Sequence, residues 1–246
     1  MQILNLNKVS LTYFSNKEET KALEDITFSI NAGDFVSIVG PSGCGKTTIL
    51  SLISGLIKPT SGDITIKDNN NSFVGYMFQK DHLFEWRTVL QNVYLGLELQ
   101  KKKTPENIEY VNNLLKKYNL WEFKNKFPRQ LSGGMRQRVS LIRTLALKPT
   151  LLLLDEAFSA LDYQTRIDVC DDVYNIIKGE KLTTILVTHD ISEAISLSDK
   201  IIILSNRPAR VKQIVDINIP DSPTPFQRRE SIKAKEYFDL IWRELK

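Results

Sequence analysis

Gly40-Pro41-Ser42-Gly43-Cys44-Gly45-Lys46-Thr47, with Thr48 directly after it, decides how this 246-residue chain is read. The segment fits G-x-x-x-x-G-K-[ST], a loop whose backbone N–H groups curl around phosphates. It has the flanks such a loop needs. The apolar run 34–39, between Gly33 and Gly40, reads as a buried strand, and residues 46–54 read as a helix stopped by Gly55 and Pro59. The start of that helix adds a positive dipole end behind the loop. Lys46 is expected to reach the β- and γ-phosphates of a nucleotide, and Thr47 to place its hydroxyl on Mg²⁺. A merely glycine-rich turn explains neither residue.

Outward from the loop, strands are expected at 3–13, 27–30, 62–66, 73–77, 151–154, 183–187 and 200–204. Residues 16–21 are polar and turn-like, and the strands 62–66 and 73–77 read as neighbours across an Asn-rich turn. Helices are expected at 88–99, 105–118, 135–147, 163–178 and 191–197. Strands alternating with helices at both ends predict an α/β core with a largely parallel sheet. The nearly all-helical middle, about 84–145, reads as an insertion packed beside that core. The tail, about 226–246, places Ala234, Tyr237, Phe238, Ile241 and Leu245 at helical spacing. That amphipathic helix has two uses open to it, docking on the protein's own core or on a partner.

Composition narrows the classes. Hydrophobic residues make up 42% and charged residues 25%, the balance of an ordinary globular domain. No apolar run approaches the roughly 18–20 residues that cross a bilayer. The N-terminal residues lack a basic stretch followed by an apolar one, so a cytoplasmic location is expected. Two cysteines, Cys44 and Cys170, make no disulfide framework, and two histidines, His82 and His189, are too few for a His-based metal site. Cys44 reads as incidental within the loop, Cys170 as packing and His82 as a surface residue. Residues 205–246 hold nine Lys or Arg against six Asp or Glu, which suits a solvated helix face before it suits nucleic acid or anionic lipid.

Two further segments carry chemistry. Four leucines, 151–154, lead into Asp155-Glu156. A buried strand there would deliver Asp155 to the Mg²⁺ shell and put Glu156 where a carboxylate can orient an attacking water. Leu131-Ser132-Gly133-Gly134-Met135-Arg136-Gln137-Arg138 has the makings of an anion site, a serine hydroxyl and glycine N–H groups at a helix start. Plain helix capping explains Ser132 and Gly133 but leaves Gly134, Gln137 and Arg138 without a reason.

That last segment resembles the signature motif of ATP-binding-cassette (ABC) proteins, and the resemblance extends over nearly the whole chain. It implies a single nucleotide-binding domain, 1–246, of the P-loop NTPase type: a RecA-like parallel-sheet core, an antiparallel β subdomain and a helical subdomain. Gln79 matches the family's glutamine loop, touching Mg²⁺ and the water. Ser159-Ala160-Leu161-Asp162 matches the segment that contacts the opposite subunit. His189 matches the switch histidine, placed to hydrogen-bond the γ-phosphate and hold Glu156. Tyr13 matches the aromatic that stacks on adenine, although a plain strand residue would read the same way.

The resemblance also implies partners. Two copies would face head to tail around two ATP molecules, each held between the loop of one chain and Ser132, Gly133 and Gly134 of the other. The pair would drive transmembrane permease subunits from the cytoplasmic face of the membrane, with a substrate-binding protein engaged only indirectly. A groove from Gln79 to Trp86 would take a short permease helix on Phe84 and Trp86, although Trp86 fits internal packing equally well. Residues 83–93 and 205–211 are similar to the ATPase subunits of nitrate, sulfonate and taurine importers, except that Glu85 stands where those carry proline. A soluble cassette acting on nucleic acid is the competing reading. The chain carries neither the second cassette nor the long insertion expected of it, so no nucleic acid is expected.

Overall fold

The computed structural model describes residues 1–14, 18–67, 74–159, 161–220 and 222–246. Six strands form the central sheet in the order β5 (Val74–Met77), β6 (Leu151–Asp155), β7 (Thr183–Val187), β3 (Phe35–Val39), β8 (Lys200–Leu204) and β9 (Val211–Asp216). The first five run parallel, and β9 closes one edge antiparallel. A second, antiparallel sheet has the order β2 (Glu19–Asn31), β1 (Gln2–Phe14), β4 (Ser61–Ile66).

The central strands are continuous apolar runs because both of their faces are covered. Alternate residues of β6 serve different cores. Leu152 and Leu154 join Phe35, Leu186 and the helices α2 (Val89–Leu99), α3 (Pro105–Lys117), α4 (Gly133–Leu145) and α5 (Tyr163–Gly179). Leu151 and Leu153 join Ile38, Ile185, the helix α1 (Lys46–Ile53) and the antiparallel sheet. A third cluster sets Val39, Ile201 and Ile203 against α6 (Ile191–Leu197) and α8 (Ile232–Leu245). The tail helix therefore docks on the protein's own core, with Ala234 and Ile241 buried. The helical middle packs beside the sheet and shares a core with it.

Two expectations are corrected. β2 begins at Glu19, so residues 19–21 are strand and not turn, because they pair in register with Phe14, Tyr13 and Thr12 of β1. The strands near 62–66 and 73–77 are not neighbours: β4 pairs with β1 while β5 pairs with β6, in different sheets. Strand β9 has no counterpart among the expected elements, and the expected tail helix is two helices, α7 (Pro225–Glu230) and α8, with Ser231 between them. β9 is an edge strand with an exposed middle, and α7 is a short helix made by a Thr224 capping box and Pro225. Phe73, expected to open β5, lies outside the described residues.

Gly62 sits where β4 crosses a bulge in β1, with φ +83°. A Cβ built there would stand 2.2 Å from the Lys8 carbonyl oxygen. Gly62→Ala is expected to cost about 2 kcal/mol from strain and forced backbone movement, read as a lower melting temperature.

Glu193 in α6 is buried, and that burial pushes its carboxyl up to about 7 from an ordinary 4.5. Asp190 acts in the same direction, while a Thr188 hydrogen bond and the charges of Arg166 and Arg229 oppose it. A carboxyl raised on folding stabilises the native state below the unfolded value, and that stability is lost as pH rises through the folded value. Relative to Glu193→Gln, the parent protein should therefore lose up to about 3 kcal/mol between roughly pH 4.5 and 7. Denaturant titrations of the two proteins across that range would measure it, and parallel pH profiles would refute it.

Candidate nucleotide site

Four neighbouring parallel strands end in the residues that the motifs single out. β3 runs into the loop 40–47, β6 ends in Asp155-Glu156, β7 leads to His189, and β5 leads to Gln79. Ligands of open parallel sheets gather at this carboxyl edge.

The loop wraps back on itself. Gly45 has φ +125°, and a Cβ there would stand 2.8 Å from Leu23 Cδ2, so only glycine lets the turn pass under β2. Lys46 is 8% exposed and donates to the carbonyls of Gly40 at 2.8 Å and Pro41 at 3.1 Å. Pro41 also accepts from the Cys44 N–H at 3.3 Å. Cys44 is more than incidental: its thiol is buried beneath the loop, and burial raises its pKa. The cleft over the loop has a volume of about 200 Å³, with Ser42, Gly43, Lys46, Thr47, Glu156 and Arg207 among its lining residues; Thr48 also lines it. Tyr13 lies beside this cleft, half-exposed, its hydroxyl 3.4 Å from that of Thr48.

Thr47 Oγ1 donates to Asp155 Oδ1 at 3.1 Å, and Tyr76 donates to Asp155 Oδ2 at 3.0 Å. Burial raises the Asp155 carboxyl above its ordinary value, against those two hydrogen bonds, which pull it down. Burial and the Asp155 charge also push the Tyr76 phenol up, so it stays a donor. A hydroxyl and a carboxylate that is costly to ionise unaided form an all-oxygen pair, the kind that suits a hard divalent cation. Among the described residues no cluster of three or more His, Cys, Asp or Glu could hold a metal, so the remaining ligands of such an ion would come from elsewhere.

Glu156 adopts φ +47°, a left-handed conformation that costs a non-glycine residue on the order of 1 kcal/mol or more. Its N–H is tied to the Val187 carbonyl at 2.9 Å, and its carbonyl accepts from Ser159 Oγ at 2.9 Å. The strained turn swings the side chain toward the neighbouring strand end. There Glu156 Oε1 lies 3.3 Å from His189 Nδ1. Gln79 Nε2 donates to Ser159 Oγ at 3.0 Å, linking the glutamine loop to the same turn. Leu161 and Asp162 follow, while Ala160 lies outside the described residues.

Ser132, Gly133 and Gly134 are elsewhere. Ser132 caps α4, accepting from Met135 N–H at 3.3 Å. Gly133 lines a second cleft of about 380 Å³ with Gln79 and Leu161, and that cleft shares no lining residue with the one over the loop. The residues that capping left without a reason have packing roles. A Cβ on Gly134 would stand 2.8 Å from Val169 Cγ2, so glycine lets α4 lie close on α5. Gln137 is buried and donates to the Ala157 carbonyl at 2.9 Å. Arg138 lies 3.5 Å from Asp172.

Glu85 pairs with Arg136 at 2.7 Å, and Asp81 holds the same guanidinium at 2.7 Å. Phe84 and the exposed Trp86 lie beside this cluster with their rings 4.8 Å apart. His82 is exposed, packed edge-on to Phe78. Three residues of the site had no role assigned from the sequence: Tyr76 on Asp155, Arg207 over the loop, and Arg166. Arg166 donates to the Leu161 carbonyl at 3.0 Å and lies 3.6 Å from Asp190, beside His189. No motif gives Tyr76 or Arg166 a role, and the importer-like stretch 205–211 gives Arg207 none, because each acts through a fold contact between distant segments.

The ABC transporter family profile matches residues 23–159. The chain is 45% identical, over its whole length and 96% of the relative's, to the uncharacterised ABC transporter ATP-binding protein YtlC of Bacillus subtilis. It is 38% identical to the nitrate import ATP-binding protein NrtD of a Synechocystis strain, over 97% of this chain and 90% of that one. Among solved structures it is similar to a dimeric ATP-binding cassette in a post-hydrolysis state bound to ADP and Pi, with 32% identity and a TM-score of 0.72 over 88% of this chain and all of that one. Loop, strand-end carboxylates, fold and relatives agree: this chain belongs to the ABC transporter family and is an ATPase of that family.

Proposed function

We propose that two copies of this chain close head to tail around two ATP molecules and that their opening and closing drives the permease of an importer. One observation carries the reading. The phosphate loop and the Ser132 helix start occupy separate clefts of one chain, and the cleft over the loop is smaller than the roughly 300–1,000 Å³ of sites that enclose a small ligand. A nucleotide on Lys46 is only half covered, and a second copy's Ser132, Gly133 and Gly134 would supply the other half.

Within each site, the N–H groups of 40–48 and the Lys46 ammonium would hold the phosphates, and Tyr13 would stack on adenine. Thr47, Asp155 and Gln79 would hold Mg²⁺, which supplies charge neutralisation on the β- and γ-phosphate oxygens. Glu156 orients a water against the γ-phosphorus. As the new P–O bond forms, the bond to the β-phosphate oxygen breaks, and Glu156 takes the water's proton, giving ADP and Pi. His189 keeps Glu156 in line and hydrogen-bonds the γ-phosphate. Loss of that phosphate removes the bridge between the two copies, and they part.

The groove at Gln79–Trp86, with Phe84 and Trp86 as aromatic anchors, would pass this motion to a permease at the cytoplasmic face of the membrane. The nitrate-import relative and the stretches 83–93 and 205–211 support a small anion or organic solute of the nitrate, sulfonate or taurine type as cargo. A substrate-binding protein would deliver it without touching this chain.

Glu156→Gln tests the reading. It should lower hydrolysis by about 10²- to 10⁴-fold while leaving ATP-dependent dimers visible on a sizing column. Unchanged turnover would remove Glu156 from the role of base, and a monomer at saturating ATP would count against the shared site.

A further inference from the structure

The turn after β8, Ser205-Asn206-Arg207-Pro208-Ala209-Arg210, is built more firmly than a loop on a sheet edge needs. Ser205 N–H donates to the Arg210 carbonyl at 2.9 Å, and Arg210 N–H returns to Ser205 Oγ at 2.9 Å. Ala209 is fully buried and bridges to β2, donating to the Ala22 carbonyl and accepting from Glu24 N–H, both at 2.9 Å. Arg210 pairs with Glu24 at 2.8 Å. β2 in turn lies against Gly45, so the turn, β2 and the phosphate loop form one stack.

Arg207 is the residue this stack presents to the cleft. Its Nη2 donates to the Gly43 carbonyl at 3.0 Å, and it lines the cleft together with Lys46 and Thr47. Unlike Arg210, it has no carboxylate partner among the ion pairs of the described residues. The carboxylate that lines the same cleft, Glu156, lies against His189. A carbonyl facing an anion cradle repels phosphate, and Arg207 covers this one. A guanidinium has five donors in a planar fork, so one bond to Gly43 leaves others free for phosphate oxygens.

We infer that Arg207 is a nucleotide-binding residue, adding a second cation, from outside the phosphate loop, to the phosphate chain of ATP held by Lys46. The inference rests on the phosphate site proposed above. Its electrostatics follow from that site: a cation without a carboxylate partner among the described residues is what a polyanion would neutralise, and a charge-assisted contact of this kind is worth more than a neutral one.

Binding of a fluorescent ATP analogue to the full chain tests it, with Arg207→Ala, Arg207→Gln and Arg207→Lys beside Lys46→Ala. Gln keeps a donor for the Gly43 carbonyl but carries no charge, whereas Lys keeps the charge. Arg207→Ala and Arg207→Gln should both weaken ATP by about tenfold, with Arg207→Lys between them and the parent. The weakening should shrink at high salt. Melting temperatures of the nucleotide-free proteins should match, since the side chain is exposed. If Arg207→Gln binds like the parent while Arg207→Ala does not, Arg207 only covers the Gly43 carbonyl and the inference fails. If Arg207→Ala binds like the parent while Lys46→Ala loses binding, the inference fails and the phosphate site stands. If Lys46→Ala also binds like the parent, the phosphate site itself is wrong.

Discussion

Everything at this site depends on the parallel register of four strands. Met77 pairs with Leu154, Asp155 with Val187, and Val187 with Ile38, so the ends of β5, β6, β7 and β3 fall in one row. β3, β6 and β7 are buried on both faces and β5 on one, and the alternate residues of β6 feed different cores. A slip of one residue would turn Leu151 and Leu153 into the wrong cluster and carry Asp155 away from Thr47. The packing that fixes the register thus also fixes the spacing of the loop, the carboxylates, the histidine and the glutamine.

This coupling explains how much could be read without coordinates. Continuous apolar strands, the loop and Asp155-Glu156 were legible, since each is local: a run of one residue type followed by a polar end. The limits of β1 and β2 were less so. β2 is held as strand from Glu19 by its partner and not by its own composition, which is polar there. The placement of β4 and β5 in separate sheets was invisible for the same reason, as strand pairing is a long-range choice. Tyr76 reads as an ordinary strand residue until β5 is laid beside β6, when it lands on Asp155. Gly134 shows the opposite failing. Its pattern was recognised for what it resembles, while its local reason, the approach of Val169, needed the neighbouring helix.

The charged groups of the site hold one another in a way that anticipates a ligand. Lys46 rests on two carbonyls, Thr47 on Asp155, and Arg207 on Gly43. None of these is a strong ion pair with a carboxylate that binding would have to break. Carbonyl and hydroxyl partners satisfy the donors and acceptors while costing little to exchange for phosphate oxygens or a hydrated cation. Asp155 is the exception. Burial disfavours its charge, and that unfavourable term is what a bound cation would relieve.

The connections between loops are short enough to transmit position. Gln79 donates to Ser159, and Ser159 donates to the carbonyl of Glu156, the residue whose backbone is already in a left-handed conformation. Gln79 cannot move far without carrying Ser159 along or breaking a hydrogen bond at that strained turn. On the other side, Arg166 joins the Leu161 carbonyl to Asp190, the neighbour of His189. Glu156 and His189 therefore meet at 3.3 Å with the turn that follows Glu156 close to both, Ser159 holding the Glu156 carbonyl and Arg166 joining Leu161 to Asp190, the neighbour of His189. A shift of that turn would therefore reach both partners of the pair. On the proposed reading, a partner docked at the Gln79 loop would be felt at Glu156 without any large change in the core, because the strands beneath it are close-packed.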